Sequence, residues 1–267
     1  LKKRKALAAL LIVAGAGLWL GFLRNASAPQ ASGPPETLSG TVIFVYDGDT
    51  IKVRLDSGGE RRVRLIGVDA PESDDPLEET RLSAFLARRF ASSILYQKRV
   101  SLVLDKEKED SYGRLLAFVE TDGEMSFNEI LVREGFASAY LKYPFDEGMK
   151  KRLRNAEAEA KQAKRGLWRE EPWPVIRPGA ARSRLGQVAT VRFLCLRTFR
   201  RGRFSVLAPD EGDFETVIPQ DVVAVLPGPL DFEKRRLEVT GLIEEFKGRP
   251  QIMVGVPSQL RFANAGR

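Results

Sequence analysis

Three short stretches of this chain gather the residue types that could do chemistry. RLIGVDAPE (64–72) opens an apolar run on Arg64 and closes it on Asp69 and Glu72. A strand that only filled a core would have no use for those charges. Upstream, DGDT (47–50) supplies Asp47 and Asp49; downstream, DSYGR (110–114) supplies Tyr112 and Arg114. If the strands carrying Asp49 and Asp69 are neighbours, the two carboxylates meet at one rim of a sheet. With a backbone carbonyl and water they make an incomplete oxygen site for a hard cation, open to substrate oxygens. Glu72 at the same rim is placed to draw a proton from a water on that cation. Arg64 and Arg114 are planar forks that can hold a phosphate bidentately. Such fixed cations stabilise the charge that builds on a phosphodiester's equatorial oxygens.

Each piece alone has an ordinary explanation. Asp47-Gly48 is a common hairpin turn, and the stretch does not fit an EF-hand loop. Asp69 and Glu72 could sit at a helix N-terminus, favoured by its dipole, and Arg64 could pair with a surface acid. Their occurrence together favours a site. Composition narrows the chemistry further. The 267 residues include no histidine and one cysteine, Cys195. Ser-His-Asp and Cys-His nucleophile systems are excluded, as are zinc sites of Cys and His. What remains is Asp, Glu, Lys, Arg and Tyr, whose oxygen ligands suit Ca²⁺ or Mg²⁺. Cys195 reads as a small buried hydrophobe. The 43% hydrophobic and 30% charged content is that of a globular protein, and a net charge of +7 favours polyanionic partners.

The elements that must position these residues follow from periodicity. Val42 and Phe44, then Ile51 and Val53, then RRVRLIGV form three β runs, with turns at Asp47-Gly48 and Gly58-Gly59. Residues 76–97 switch to helical spacing, with Leu82, Phe85, Leu86, Phe90, Ile94 and Leu95 on one face. Strands RVSLVLD (99–105) and LLAFVE flank the Asp110–Arg114 turn. Ser126 caps a short helix through Arg133, ended by Gly135, and a charged helix over 146–165 stops at Gly166. The order β-β-β-α-β-β-α-α predicts a mainly β fold with α, an OB-type five-stranded barrel with three helices.

With DGDT, RLIGVDAPE and DSYGRLLAFV in this order, followed by NEILVREGFA (128–137) and a closing Gly-Leu-Trp, the chain resembles the staphylococcal nuclease (thermonuclease) family from about Leu38 to Arg169. The resemblance implies a five-stranded OB barrel with three helices that cleaves DNA and RNA with Ca²⁺. It implies Asp49, Asp69 and the carbonyl of Ala70 as metal ligands, with Asp47 supporting the ion through water. It also implies Glu72 as the base, Arg64 and Arg114 as phosphate clamps, Tyr112 on the terminal phosphate and Tyr140 near the base. Where the family has a long lysine-rich loop after the PE, this chain has the short acidic SDDPLEE, and Ala70 replaces a threonine.

Outside that region, Lys2, Lys3, Arg4 and Lys5 precede the uncharged, mostly apolar residues 6–23. That stretch makes about 27 Å of helix at about 1.5 Å per residue, enough to cross a bilayer. Residues 1–28 read as a signal peptide, with Ala26-Ser27-Ala28 as a small-residue cleavage site, or as a retained anchor with its basic end in the cytoplasm. The chain is then expected to be exported: secreted, or membrane-anchored facing the outside or periplasm. A linker (29–37) leads to the nuclease-like domain (38–170), and a basic linker (171–185) to a second domain (186–265). There, 187–199, 203–209, 214–219, 236–246 and 250–256 are β runs, with a hairpin at Lys247-Gly248. They suggest a second small barrel, and its ending resembles OB-fold nucleic-acid-binding modules. Arg192, Arg200, Arg201 and Arg203 would track phosphates there, with Phe199 or Phe204 stacking bases; the other reading is a β domain for packing or protein contacts. The expectation is a Ca²⁺-dependent nuclease of low sequence specificity acting on DNA or RNA, with no protein partner. The alternatives are a non-catalytic tandem OB nucleic-acid-binding protein and a membrane-anchored adaptor.

Overall fold

The computed structural model describes residues 35–227 and 231–263. The expected signal or anchor (1–28) and most of the linker after it lie outside the described residues. Among the described residues no helix is long and apolar enough to cross a membrane. The described residues from 36 onward form one compact unit.

The first half is a closed barrel. Strands β1 (Thr37–Val45), β2 (Thr50–Leu55) and β3 (Glu60–Leu65) form an antiparallel meander, as their alternation and turns predict. Gly58 and Gly59 both take positive φ at the second turn, a conformation that costs glycine little. A two-residue strand, β4 (Val68–Asp69), precedes helix α1 (Glu78–Leu95). Strands β5 (Arg99–Glu109) and β6 (Leu115–Glu120) complete the ring in the order β1-β2-β3-β6-β5, with β3 and β6 parallel. Helix α2 (Phe127–Arg133) begins at a capping box in which Ser126 and Glu129 satisfy each other's backbone amides. Strand β7 (Ser138–Ala139) pairs with β4. Helix α3 (Glu147–Gln162) is capped by Asp146, which accepts from the Met149 amide at 2.8 Å.

The second half is a barrel of the same plan. Strand β8 (Val175–Ile176) runs parallel to β9 (Val188–Arg201), which leads to β10 (Phe204–Pro209) and β11 (Glu215–Pro219). A one-turn helix α4 (Gln220–Val223), then β12 (Arg236–Phe246), β13 (Arg249–Met253) and β14 (Leu260–Phe262) follow. The ring β9-β10-β11-β13-β12 closes through a β12–β9 ladder, with β11 and β13 parallel, as β3 and β6 are in the first barrel. Lys247 and Gly248 both take positive φ at the β12–β13 hairpin, as expected of a two-residue turn. Cys195 is buried in this core. The stretch between the barrels is not bare linker: β8 joins the second sheet, and Ala181 of a 3₁₀ turn over Pro178–Arg184 is fully buried in the second core.

Helix α1 departs from its expected single apolar face. Leu86, Phe90 and Leu95 enter the first core together with Ala87 and Ala91, while Phe85 does not. Phe85 lies instead against Gly255 of the second barrel, where an added Cβ would come within 1.9 Å of its ring. Leu242 and Val188, paired between β12 and β9, also join the first core. Arg89 on the same helix forks onto Glu244 of β12. Because α1 is covered on two sides, its apolar residues spread beyond one stripe. Burial pushes the Glu244 carboxyl up, and Arg89 opposes that shift.

Candidate active site

Register places the first three motifs together. Thr50 on β2 lies opposite Arg64 on β3, so Asp49 at the end of the β1–β2 loop sits beside the arginine. The Leu65 amide donates to the Asp49 carbonyl at 2.9 Å, and the Ala70 amide donates to the Asp49 carboxylate at 2.8 Å. Thr50 Oγ1 donates to the other oxygen at 3.1 Å. The loop itself is a tight Asx arrangement, with the Asp49 amide donating to Asp47 Oδ1 at 3.0 Å. Gly48 sits where a side chain has no room without a shift of its neighbours: a Cβ would stand 2.8 Å from that of Ala70 and 2.9 Å from that of Ala87 on α1.

Arg64 projects from the outer face of β3, since Val63 and Leu65 on either side face the core. Its Nη1 lies 2.6 Å from Asp49 Oδ2 as an ion pair, without the angle of a hydrogen bond, and its Nη2 lies 3.6 Å from Asp69. Burial drives the Asp49 carboxyl from its ordinary 3.8 up to about 7. Arg64 and the Ala70 amide resist that rise, while the charge of Asp47 adds to it. The pocket thus holds a buried negative charge that one arginine compensates only in part. Asp69 itself is exposed at the end of β4, and Glu72 three residues on is exposed with no hydrogen bond or ion pair among the described residues.

Arg114 ends the turn before β6, one residue ahead of Leu115, which is level with Val63. It therefore shares the outer face with Arg64 on the neighbouring strand. Its Nε donates to Asp110 Oδ2 at 2.7 Å. Burial works against the Asp110 charge, yet the hydrogen bonds from Arg114 and from the Tyr112 amide hold its pKa below the usual carboxylate value. Tyr112 stands almost free at 83% exposure, with the Arg114 guanidinium 5.4 Å from its ring centroid. The Tyr140 amide donates to the Gly67 carbonyl at 2.8 Å, which ties the tyrosine to the residues just after β3.

Two further features were not foreseen from the sequence. Tyr143, 63% exposed, packs its ring 5.7 Å from that of Tyr140, and Lys142 lies over the latter. Asn128 is fully buried on α2; it accepts from the Val119 amide at 2.9 Å and donates to the Ile66 carbonyl at 2.8 Å. It thereby fixes the backbone three residues before Asp69. A buried amide is costly unless bonded, so an asparagine between Phe127 and Leu131 on an otherwise apolar face was the available signal.

In the second barrel the arginines expected to track phosphates divide. Arg192 pairs with Glu238 at 2.6 Å and Arg201 with Glu215 at 2.9 Å. Arg200 and Arg203 have no carboxylate partner among the described residues. Phe199 is half-buried between Arg197 and Arg201, at 5.2 and 5.6 Å, and Phe204 lies beneath Arg203.

Whether a calcium ion suits the first site turns on its donors. Among the described residues no group of three or more His, Cys, Asp or Glu side chains is arranged to hold a metal. A complete protein cage is therefore absent from them. Two carboxylates, one of them buried and under-compensated, are nevertheless the hard oxygen donors of a partial site finished by carbonyl, water and substrate. The residues fit such an ion.

The staphylococcal nuclease homologue family matches residues 62–170. The thermonuclease of Staphylococcus intermedius is 40% identical over 124 residues, covering 46% of this chain and 72% of that protein. That of Staphylococcus hyicus is 39% identical over 127 residues, 48% of this chain and 73% of the relative. Endonuclease YhcR of Bacillus subtilis (strain 168) is 33% identical over 149 residues, 53% of this chain but 12% of that protein. The family match ends before the second barrel begins.

Proposed function

Because the chain belongs to the staphylococcal nuclease family, we propose that it is a Ca²⁺-dependent nuclease, hydrolysing phosphodiester bonds of DNA or RNA with low sequence specificity. The observation that carries this reading is the Asp49 carboxylate, joined at once to the Ala70 amide and to Arg64. It draws DGDT and RLIGVDAPE into one acidic, arginine-bordered pocket.

Asp49, Asp69 and the Ala70 carbonyl would hold the ion. When bound, calcium would supply charge neutralisation on the phosphate and a more acidic water. The chain's own residues do the rest. Arg64 and Arg114 grip non-bridging oxygens and stabilise the charge that accumulates there. Glu72, exposed and without a partner among the described residues, takes a proton from the attacking water at its carboxylate. The new P–O bond forms as the bond to the leaving oxygen breaks on the opposite side; that oxygen takes its proton from solvent. Tyr112 contacts the terminal phosphate and Tyr140 the base. Export of the chain, secreted or held by residues 1–28, belongs to the same reading and is measured by where activity partitions on cell fractionation.

The test incubates the purified protein with single- and double-stranded DNA and with RNA, in Ca²⁺ and in EGTA, beside Glu72→Gln. Digestion that needs Ca²⁺ and falls by about 10²-fold or more in the variant is expected, the usual scale for a general base. Full activity in Glu72→Gln would sink the role of Glu72. Salt-sensitive retention of DNA with no digestion would favour a binding protein, and no retention at all an adaptor.

A further inference from the structure

Next to the arginine clamp, the outer face of the first barrel carries aromatic and cationic side chains that the proposed reaction leaves unused. Phe44 on β1 lies opposite Lys52 on β2, and Lys52 opposite Arg62 on β3. Arg62 is two residues before Arg64 on the same face, and it is level with Arg114, which precedes Leu115 opposite Val63. Strands stand about 4.8 Å apart, so this row runs about 10 Å across the sheet from Arg62 to Phe44. Tyr46 joins it: its hydroxyl accepts from Arg62 Nε at 3.2 Å, and the Arg62 guanidinium lies 4.7 Å from its ring centroid. The Phe44 and Tyr46 rings meet edge-on at 4.9 Å, and Arg88 from α1 closes the row 5.8 Å over Phe44.

A row built only to cover the barrel would look different. Strand β1 is bulged between Val42 and Phe44. By plain alternation Phe44 would point inward with Val42; the bulge turns it out, 43% exposed, while Val45 takes the buried place. Bulges beside active sites commonly re-aim a side chain in this way. The charges are also distinctive. Lys52, in the middle of the row, shares Glu60 with Arg54, and Arg61 beside it holds Glu109. Arg62 and Arg88, both exposed, have no carboxylate partner among the described residues and rest on aromatic faces instead. An exposed phenylalanine and a half-buried tyrosine, set among arginines without an acid partner among the described residues, match a single strand, whose bases stack and whose phosphates need cations.

We propose that Arg62, Tyr46, Phe44 and Arg88 form a subsite for single-stranded nucleic acid, holding the nucleotides beside the one clamped by Arg64 and Arg114. The proposal rests on the nuclease reading for its place next to the scissile bond, but not for the binding itself. Arg62 and Arg88 hold flanking phosphates, while Phe44 offers the platform for a base.

The experiment compares wild type, Phe44→Leu, the double variant Arg62→Ser/Arg88→Ser, and Arg62→Lys. Kinetics are read on a dinucleotide and on a ten-nucleotide single strand in Ca²⁺; binding of that strand is read by anisotropy in EGTA across a salt series. For Phe44→Leu and the double variant, KM on the long strand should rise about tenfold with kcat within about twofold, and the dinucleotide should be unaffected. The salt slope of binding should fall by about 0.7 for each phosphate that the double variant no longer neutralises, and Arg62→Lys should keep it. A merely structural row would move neither the slope nor KM selectively. Unchanged KM on the long strand and an unchanged slope would overturn the subsite. If wild type cleaves nothing, the nuclease reading fails, and the anisotropy series alone still decides the subsite by the same slopes.

Discussion

Gly48→Ala tests how tightly helix α1 supports the catalytic loop. Gly48 does not occupy the left-handed region, so alanine meets no backbone objection. The difficulty is space: its methyl would stand 2.8 Å from Ala70 Cβ and 2.9 Å from Ala87 Cβ. Both neighbours are Cβ atoms fixed to backbone, so no flexible side-chain end can swing aside. Either the loop carrying Asp49 or the helix must shift by several tenths of an ångström. Overpacking of this kind costs about 1–3 kcal/mol, a fall in Tm of about 2–12 °C for a unit of this size. Because Ala70 is one of the crowded groups, the displacement falls on the proposed cation ligands themselves, and kcat/KM should drop by about tenfold to a hundredfold. Adding Ala87→Gly removes one of the two clashes. Activity should then recover substantially, while stability recovers less, since glycine inside a helix costs about 1 kcal/mol against alanine. The assays are thermal melting and Ca²⁺-dependent hydrolysis of one oligonucleotide for wild type and both variants. Wild-type melting and activity in Gly48→Ala would refute the argument that the loop is braced by α1.

Three other substitutions probe separate parts of the molecule. Asp49→Asn removes a buried charge that burial disfavours, so at pH 8 and without calcium it should raise stability while abolishing hydrolysis; urea titration reads the first effect, and a fall in stability would show that the pairing with Arg64 outweighs the burial. Glu215 is nearly buried; that burial works against its charge, but Arg201 and Arg249 hold its pKa below its ordinary 4.5. Its contribution is present above pH 4.5 and lost as pH falls through the lower folded value, so the stability gap between wild type and Glu215→Gln should narrow progressively as pH falls below 4.5 in acid denaturation. Gly255→Ala drives a methyl into the Phe85 ring, which should weaken the seating of the second barrel on α1. Two resolved transitions in calorimetry, or a clear fall in the single one, are expected; an unchanged melt would show that the contact is slack.

Much of the architecture was legible in the chain itself. The β1–β3 meander, the turn at Gly58-Gly59 and the capping box at Ser126 are local matters, decided by alternation, glycine φ and side-chain caps within a few residues. The second barrel's hairpin at Lys247-Gly248 was legible for the same reason. So were the charged residues of DGDT, RLIGVDAPE and DSYGR, because acids and arginines bounding apolar strands have no role in a core. Tertiary packing decided what residue types leave open. Whether Asp49 meets Ala70 depends on strand register and on the clearance beside Gly48, neither of which is encoded in one stretch. The pKa of Asp49 follows from burial by elements distant in sequence. Phe85 could not be assigned to the second barrel from helical period alone, because a helix covered on two sides no longer shows a single stripe. The outward turn of Phe44 depends on a bulge, one extra residue that reverses inside and outside, and only the paired strand reveals it.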